Sequence, residues 1–208
     1  MSLHEVGTEL RSDRLAYLYI GGATAFIFAM FGYLLGRKAD RLAQLSETDP
    51  LTDLLNARGF SVRLDAEVKR AKRYRQPLSL LFLDLDGLKD INDRHGHKAG
   101  SEALRQVASV IQAELRASDI GARWGGDEFT IVAPNTSNGA AMTFAERIRS
   151  RIAEQRMGWR MTASIGVATL GDDGNVILED ASSLMRSADA AMYYAKRSGK
   201  NTVAHALS

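Results

Sequence analysis

From Leu15 to Gly36 the chain reads LAYLYIGGATAFIFAMFGYLLG, without one charge. At about 1.5 Å per residue a helix of this length spans the roughly 30 Å of bilayer hydrocarbon, and only a helix satisfies its own backbone there. One transmembrane helix over residues 15–36 is the expectation. A cleaved signal peptide or a buried core helix would give a similar run, but no small-residue cleavage site follows it. Arg37, Lys38 and Arg41 follow the run, against Arg11 and Arg14 before it, so the positive-inside rule leans only slightly toward a cytoplasmic C-terminal side. Residues 1–14 form a tail too short for an extracellular sensor. Residues 37–48 read as a polar helical linker, with Leu42 and Leu45 on one side, that stops before Pro50.

Beyond Pro50 the pattern changes to helices alternating with short apolar strands, which predicts an α/β (α+β) sheet covered by helices over residues 49–208. Helices are expected at 57–75, 88–94, 100–116, 138–155 and 182–197, and strands at 79–85, 121–124, 128–133, 161–169 and 202–205. In a chain of 208 residues this leaves room for one well-buried domain plus the membrane appendage. A formal net charge of +2 lacks the one-sided basic surface that nucleic acid binding needs, so no nucleic acid partner is expected. With no cysteine, thiolate catalysis and Cys-based zinc are excluded, and any metal must be held mainly by oxygen.

Two segments carry chemistry. In LSLLFLDLDGLKDIND an apolar strand stops at Asp84 and Asp86. Carboxylates at a strand end suit magnesium, which takes one or two acidic groups and leaves positions open for phosphate. The plainer reading is a strand-to-helix turn with Asp86 as cap. Lys89 could reach a phosphate or only decorate its helix. In ARWGGDEFTIVAP, Gly125 and Gly126 fit a tight hairpin whose bare backbone a triphosphate can approach. Asp127 and Glu128 emerge beside it. If that hairpin pairs next to the strand ending at Asp84, one of these acids joins Asp84 around a metal; otherwise Gly-Gly-Asp is only a turn.

The pentapeptide GGDEF has a chance probability of about one in ten thousand in a chain this long, from average residue usage. With DPLTDLLNARGF, FLDLDGLKDINDRHGH, SIGVA and ADAAMYYAKRSGKN, the chain from Asp49 to its end resembles the GGDEF family of diguanylate cyclases. The resemblance implies a nucleotidyl-cyclase palm, a five-stranded antiparallel-rich sheet surrounded by helices. It also implies two magnesium ions on Asp84, Asp127 and the Leu85 carbonyl, with Glu128 assisting at the metals or the attacking hydroxyl. Lys89, Lys196 and Lys200 match triphosphate-contacting positions, the last usually arginine in the family. Two GTP would condense into cyclic di-GMP and pyrophosphate across a homodimer, each domain holding one nucleotide. Because nucleoside triphosphates are cytoplasmic, the domain then belongs on the inner face of a bacterial cell membrane, with the N-terminus outside.

The resemblance further places product inhibition by cyclic di-GMP at Arg116 and Asp119 of RASD, with Arg147 as a secondary arginine. The alternatives are a helix-end ion pair between the first two and a solvated helix charge at Arg147. Asn92 matches a base-binding asparagine, but Ser101 stands where the family has aspartate. A carboxylate accepts from guanine N1–H and the 2-amino group, which adenine cannot offer; a hydroxyl donates or accepts. Serine here resembles the hybrid promiscuous subgroup, which implies ATP as a second substrate and cyclic AMP-GMP as a product. Two further readings stay open: Ser101 merely weakens GTP binding, or Glu102 substitutes for the carboxylate. Asp53 and Ala57 also depart from the family's glycine and arginine. A domain that binds nucleotide without catalysis would typically have lost metal or hairpin residues, and here they all stand. A purely structural membrane scaffold would leave the metal and phosphate constellation unexplained.

Overall fold

The computed structural model describes residues 16, 18–37, 46–155, 161–171 and 180–206. The chain forms two compact units, residues 1–46 and 47–208. In the first, helix α1 (Leu18–Arg37) has a mean hydropathy of 1.8 over its most apolar window, none of it buried. Leu18, Ile20, Phe26, Phe28 and Phe31 are all exposed, and by length and composition the helix could cross a membrane. The tail at 1–14 and the linker at 38–45 lie outside the described residues. At Thr48 the backbone makes a bridge to Leu55.

The second unit runs β1 (Leu55–Asn56), α2 (Ala57–Tyr74), β2 (Leu78–Asp86), α3 (Leu88–His95), α4 (His97–Glu114), β3 (Ile120–Gly125), β4 (Glu128–Pro134), α5 (Asn138–Glu154), β5 (Thr162–Leu170), α6 (Ala181–Arg197) and β6 (Val203–His205). Its sheet has the order β1-β3-β4-β2-β5-β6. Pairings are antiparallel except β1 with β3 and β5 with β6. The five strands read from the pattern are present. The sixth, β1, is two residues long and carries no periodicity; parallel pairing with β3 and an Asn56 N–H donated to the Glu47 carbonyl hold it.

Strand β2 is buried at every position because it lies between β4 and β5 with helices on both faces, which explains its unbroken apolar run. Its odd-numbered residues, Leu81, Leu83 and Leu85, pack with α3, α4 and α5. Its even-numbered residues, Leu78, Leu80 and Phe82, pack with α2 and α6. Strand alternation therefore puts Asp84 and Asp86 on the α6 side. The end of β2 thus carries its acids onto the face where α6 brings Lys196.

Helix boundaries follow capping chemistry. The Asn56 side chain accepts from Gly59 N–H at the start of α2. At α6, Asp180 accepts from Ser183 N–H while the Ser183 hydroxyl faces the Asp180 backbone, a reciprocal capping box. Helix α4 begins at His97, one turn before the expected Gly100, because Gly96 (φ +80) serves as the breaker. Gly100 lies inside the helix for another reason: a Cβ there would sit 2.0 Å from Asn92 Oδ1. The glycine makes room for a side chain, not for a turn.

Candidate active site

The acids converge at the end of β2. In the antiparallel register Asp84 lies directly opposite Glu128, so the hairpin does pair next to the strand that ends at Asp84. Gly125 pairs with Glu128, leaving Gly126 (φ +27) and Asp127 as the two-residue turn, with the register slipping at Trp124. The Leu85 N–H donates to the Asp127 carbonyl at 3.1 Å, which fastens the turn to β2. Arg123 fastens it from the other side. Its guanidinium donates to the Gly126 carbonyl at 2.7 Å and to both Asp49 oxygens at 3.3 Å.

Asp84 is 5% exposed, and its Oδ1 is buried with no hydrogen-bond partner among the described residues. Its Oδ2 is 2.6 Å from the Lys196 ammonium, delivered by the last turn of α6. Burial raises the Asp84 pKa, the hydrogen bond from Lys196 opposes this, and the negative charge of Asp127 raises it again. Glu128 is raised too, by burial first and then by the charges of Asp84, Asp127 and Asp189. Buried acids that repel one another around an orphaned oxygen are a donor set for a hard cation. Among the described residues no three His, Cys, Asp or Glu side chains form a ready-made metal cage. Magnesium does not need one, since it keeps waters and takes phosphate oxygens in its remaining positions.

Asp86 is not the cap of α3. It accepts from Thr162 Oγ1 (2.8 Å), Ser164 Oγ (2.9 Å) and the Asn201 N–H (3.0 Å). The cap of α3 is Gly87. Asp86 thereby ties β5 and the Gly199-Lys200-Asn201 turn to β2, and Arg149 grips Asn201 Oδ1 at 2.6 Å. Lys200 and Asn201 both adopt the left-handed region (φ 63 and 46), a conformation that this hold from two sides sustains.

A cleft of about 440 Å³ opens beyond the hairpin, lined by Lys89, Asn92 and Asp93 of α3, His97 and Ser101 of α4, and Gly126 and Asp127 of the turn. The volume falls in the range of small-molecule sites. Among the expected site residues, Lys89, Asn92, Ser101, Gly126 and Asp127 share this cleft. Asp84, Leu85, Gly125 and Glu128 stand at the strand ends, Lys196 reaches Asp84 from α6, and Lys200 follows on the turn braced by Asp86. Glu102 does not line the cleft; it is exposed and bound to Arg105 and Gln106 on the next turn of α4.

Residues 46–202 match the family described as diguanylate cyclase, GGDEF domain. The chain belongs to the GGDEF family. It is 38% identical over 171 residues to the response regulator PleD of Caulobacter vibrioides, covering 79% of this chain and 37% of PleD. It is 38% identical over 159 residues to the diguanylate cyclase DosC of Escherichia coli K12, covering 74% of this chain and 34% of DosC. The chain thus spans about a third of the length of these curated relatives. Among solved structures, the GGDEF domain of DgcB from Caulobacter crescentus in complex with c-di-GMP superposes with a TM-score of 0.72 at 33% identity, over 78% of this chain and 97% of that one.

In this GGDEF domain the RASD segment follows α4. Asp119 accepts from the Arg116 backbone N–H at 2.9 Å, closing a turn, so the two side chains do not form the helix-end ion pair. Arg147 is not a free helix charge: its Nε donates to Glu114 Oε2, and its guanidinium lies 5.1 Å from the centre of the Phe144 ring.

Sequence reasoning assigned no role to Arg123, Gly100, His97 or Asp93. Arg123 stands in the quoted RWGGDEF, so an arginine two residues before the glycines was the available signal. The other three carry none.

The crowding of acids has a measurable consequence. Because the folded-state pKa of Glu128 lies above its unfolded value, the metal-free protein loses stability as pH rises through the folded value. Glu128→Gln escapes that loss. The variant is expected to melt higher than wild type at neutral pH in chelator, with the gain vanishing below the unfolded carboxylate range, about pH 4. Melting curves across this range check it; a gain that is constant with pH refutes the electrostatic cause.

Proposed function

We propose that the chain is a diguanylate cyclase, condensing two GTP into cyclic di-GMP with release of two pyrophosphates. One observation carries the reading: Asp84, Asp127 and Glu128 meet at the end of the central strand, beside a cleft that holds Asn92, Ser101 and Lys89. Asp84, Asp127 and the Leu85 carbonyl are the groups that would hold Mg²⁺. When bound, the metal supplies charge neutralisation at the α-phosphate and lowers the pKa of the attacking hydroxyl. In each half-reaction the 3′-oxygen of one nucleotide bonds to the α-phosphorus of the other, and the bond to pyrophosphate breaks.

The chain's own residues do the rest. Glu128, with its raised pKa, is suited to take the proton from the 3′-hydroxyl. Lys196, partly exposed beside Asp84, would donate to the triphosphate, and Lys89 and Lys200 would add point charges there. Gly125 and Gly126 leave the backbone open to the phosphates. Asn92, positioned by the space at Gly100, holds the base edge. One domain holds one nucleotide, so a homodimer brings the two together by proximity. Helix α1 anchors the chain in the inner membrane with this domain in the cytoplasm.

A second reading, cyclic AMP-GMP from ATP and GTP, is favoured by one observation: Ser101 lines the cleft while Glu102 turns away. Incubating the full chain in detergent with Mg²⁺ and GTP, ATP or both tests both readings. No cyclic dinucleotide from a folded dimer under any mixture overturns catalysis. If Ser101 relaxes base choice, Ser101→Asp loses the mixed product and improves GTP over ATP discrimination by about tenfold or more, as a restored acceptor for guanine should. Unchanged product ratios remove that idea.

A further inference from the structure

Glu114 is the last residue of α4, where an acid faces the negative end of the helix dipole. The helix gains nothing from it there. Its surroundings explain it instead: the carboxylate is 15% exposed, Oε2 accepts from Arg147 Nε, and Oε1 lies 3.5 Å from Arg151 Nε. Both arginines come from the facing surface of α5, 33 residues or more along the chain. Two arginines thus meet one acid at the end of α4, and Arg116 follows that acid by two residues in the chain. Among the described residues Arg116 enters no ion pair, and it is its backbone N–H that meets Asp119.

A ligand with two phosphates and guanine edges is what such arginines recognise, each guanidinium offering a planar fork. We propose that Glu114 sets the affinity of this feedback site by competing with the cyclic dinucleotide for Arg147 and Arg151. The proposal rests on the reading of Arg116, Asp119 and Arg147 as that site. The dianion gains the full Arg147 fork only by taking Nε from Glu114. Even with Arg147 in place, its phosphates lie within a few ångströms of a fixed negative charge. The stacking of Arg147 on Phe144 keeps its guanidinium on this surface whether or not Glu114 holds it. Removing the acid therefore releases donors without scattering them. Glu114 raises the product concentration at which the enzyme shuts down.

Equilibrium binding of cyclic di-GMP to the full chain in detergent tests this with wild type, Glu114→Gln, Arg116→Ala and the double variant. Glutamine keeps the shape and loses the charge. Glu114→Gln is expected to bind about fivefold more tightly at low salt, the size that one half-screened charge supports, with the advantage shrinking as salt rises. Glu114→Asn, too short to reach either arginine, should do the same. Initial rates, measured before product accumulates, should not change in either variant. Arg116→Ala should weaken binding at least tenfold in both backgrounds. If Arg116→Ala weakens binding while both Glu114 variants bind as wild type or worse, the competition is overturned and the site survives. If Arg116→Ala changes nothing, the site itself is misplaced and the proposal falls with it.

Discussion

Asp84→Ala is expected to lower cyclic dinucleotide synthesis by roughly a thousandfold or more while leaving the fold intact, the scale at which removal of one transition-state-stabilising group is felt. Asp84 is buried, one of its oxygens has no hydrogen-bond partner among the described residues, and it stands opposite Glu128 and near Asp127 where β2 and the hairpin bring acids together. Alanine removes the donor around which a metal would be held and leaves Lys196 without its partner. That lysine is 32% exposed, so its ammonium can turn to water rather than stay buried and unpaired. Burial raises the Asp84 pKa, so the ionised form costs folding free energy, and this cost appears as pH rises through the folded value. The metal-free variant should thus melt at or above the wild-type temperature at neutral pH and show no gain at low pH. Pyrophosphate release beside thermal melts measures both. A variant within tenfold of wild-type activity would show that Asp84 is not a catalytic ligand.

The largest expected stability effect lies in SIGVA. A Cβ on Gly166 would sit 2.0 Å from the Ala188 carbonyl oxygen and 2.2 Å from the Met192 nitrogen, both backbone atoms of α6. Backbone in a helix cannot move aside as a flexible side chain does, so the whole helix must back away from β5. Gly166→Ala is expected to cost about 3 kcal/mol, at the high end for overpacking. For a domain of this size that is a fall of about 6–12 °C in melting temperature. Activity should fall further than stability explains, because α6 carries Lys196 to Asp84 and a shift of the helix breaks that 2.6 Å contact. Denaturant melts and kcat at a temperature where the variant remains folded separate the two effects. A loss under 1 kcal/mol would mean that α6 shifts easily.

Much of this was legible in the chain itself because it is local. Apolar alternation and helical spacing mark five strands and five helices, and continuous burial of β2 matches its unbroken run of leucine and phenylalanine. The glycine pair forms its hairpin, and the acids beside it arrive where the motif places them. Strand β1 was not legible: two residues hold no period, and its partners are backbone groups. Asp86 looked like a helix cap because it precedes one; only the folded sheet brings Thr162, Ser164 and Asn201 around it and makes it a brace.

The same division runs through the whole site. The sequence by itself determined which elements longer than two residues form, where the hairpin turns, and that the residue at 101 is a serine. The tertiary structure alone decided that Glu102 faces away from the cleft, that Gly100 is small for the sake of Asn92, that Arg123 links the hairpin to Asp49, and that Glu114 holds Arg147. Apart from Glu102, whose partners lie on its own helix, each of these is a meeting between groups on different elements. Local spacing fixes the face on which a residue lies, and packing alone fixes what that face meets.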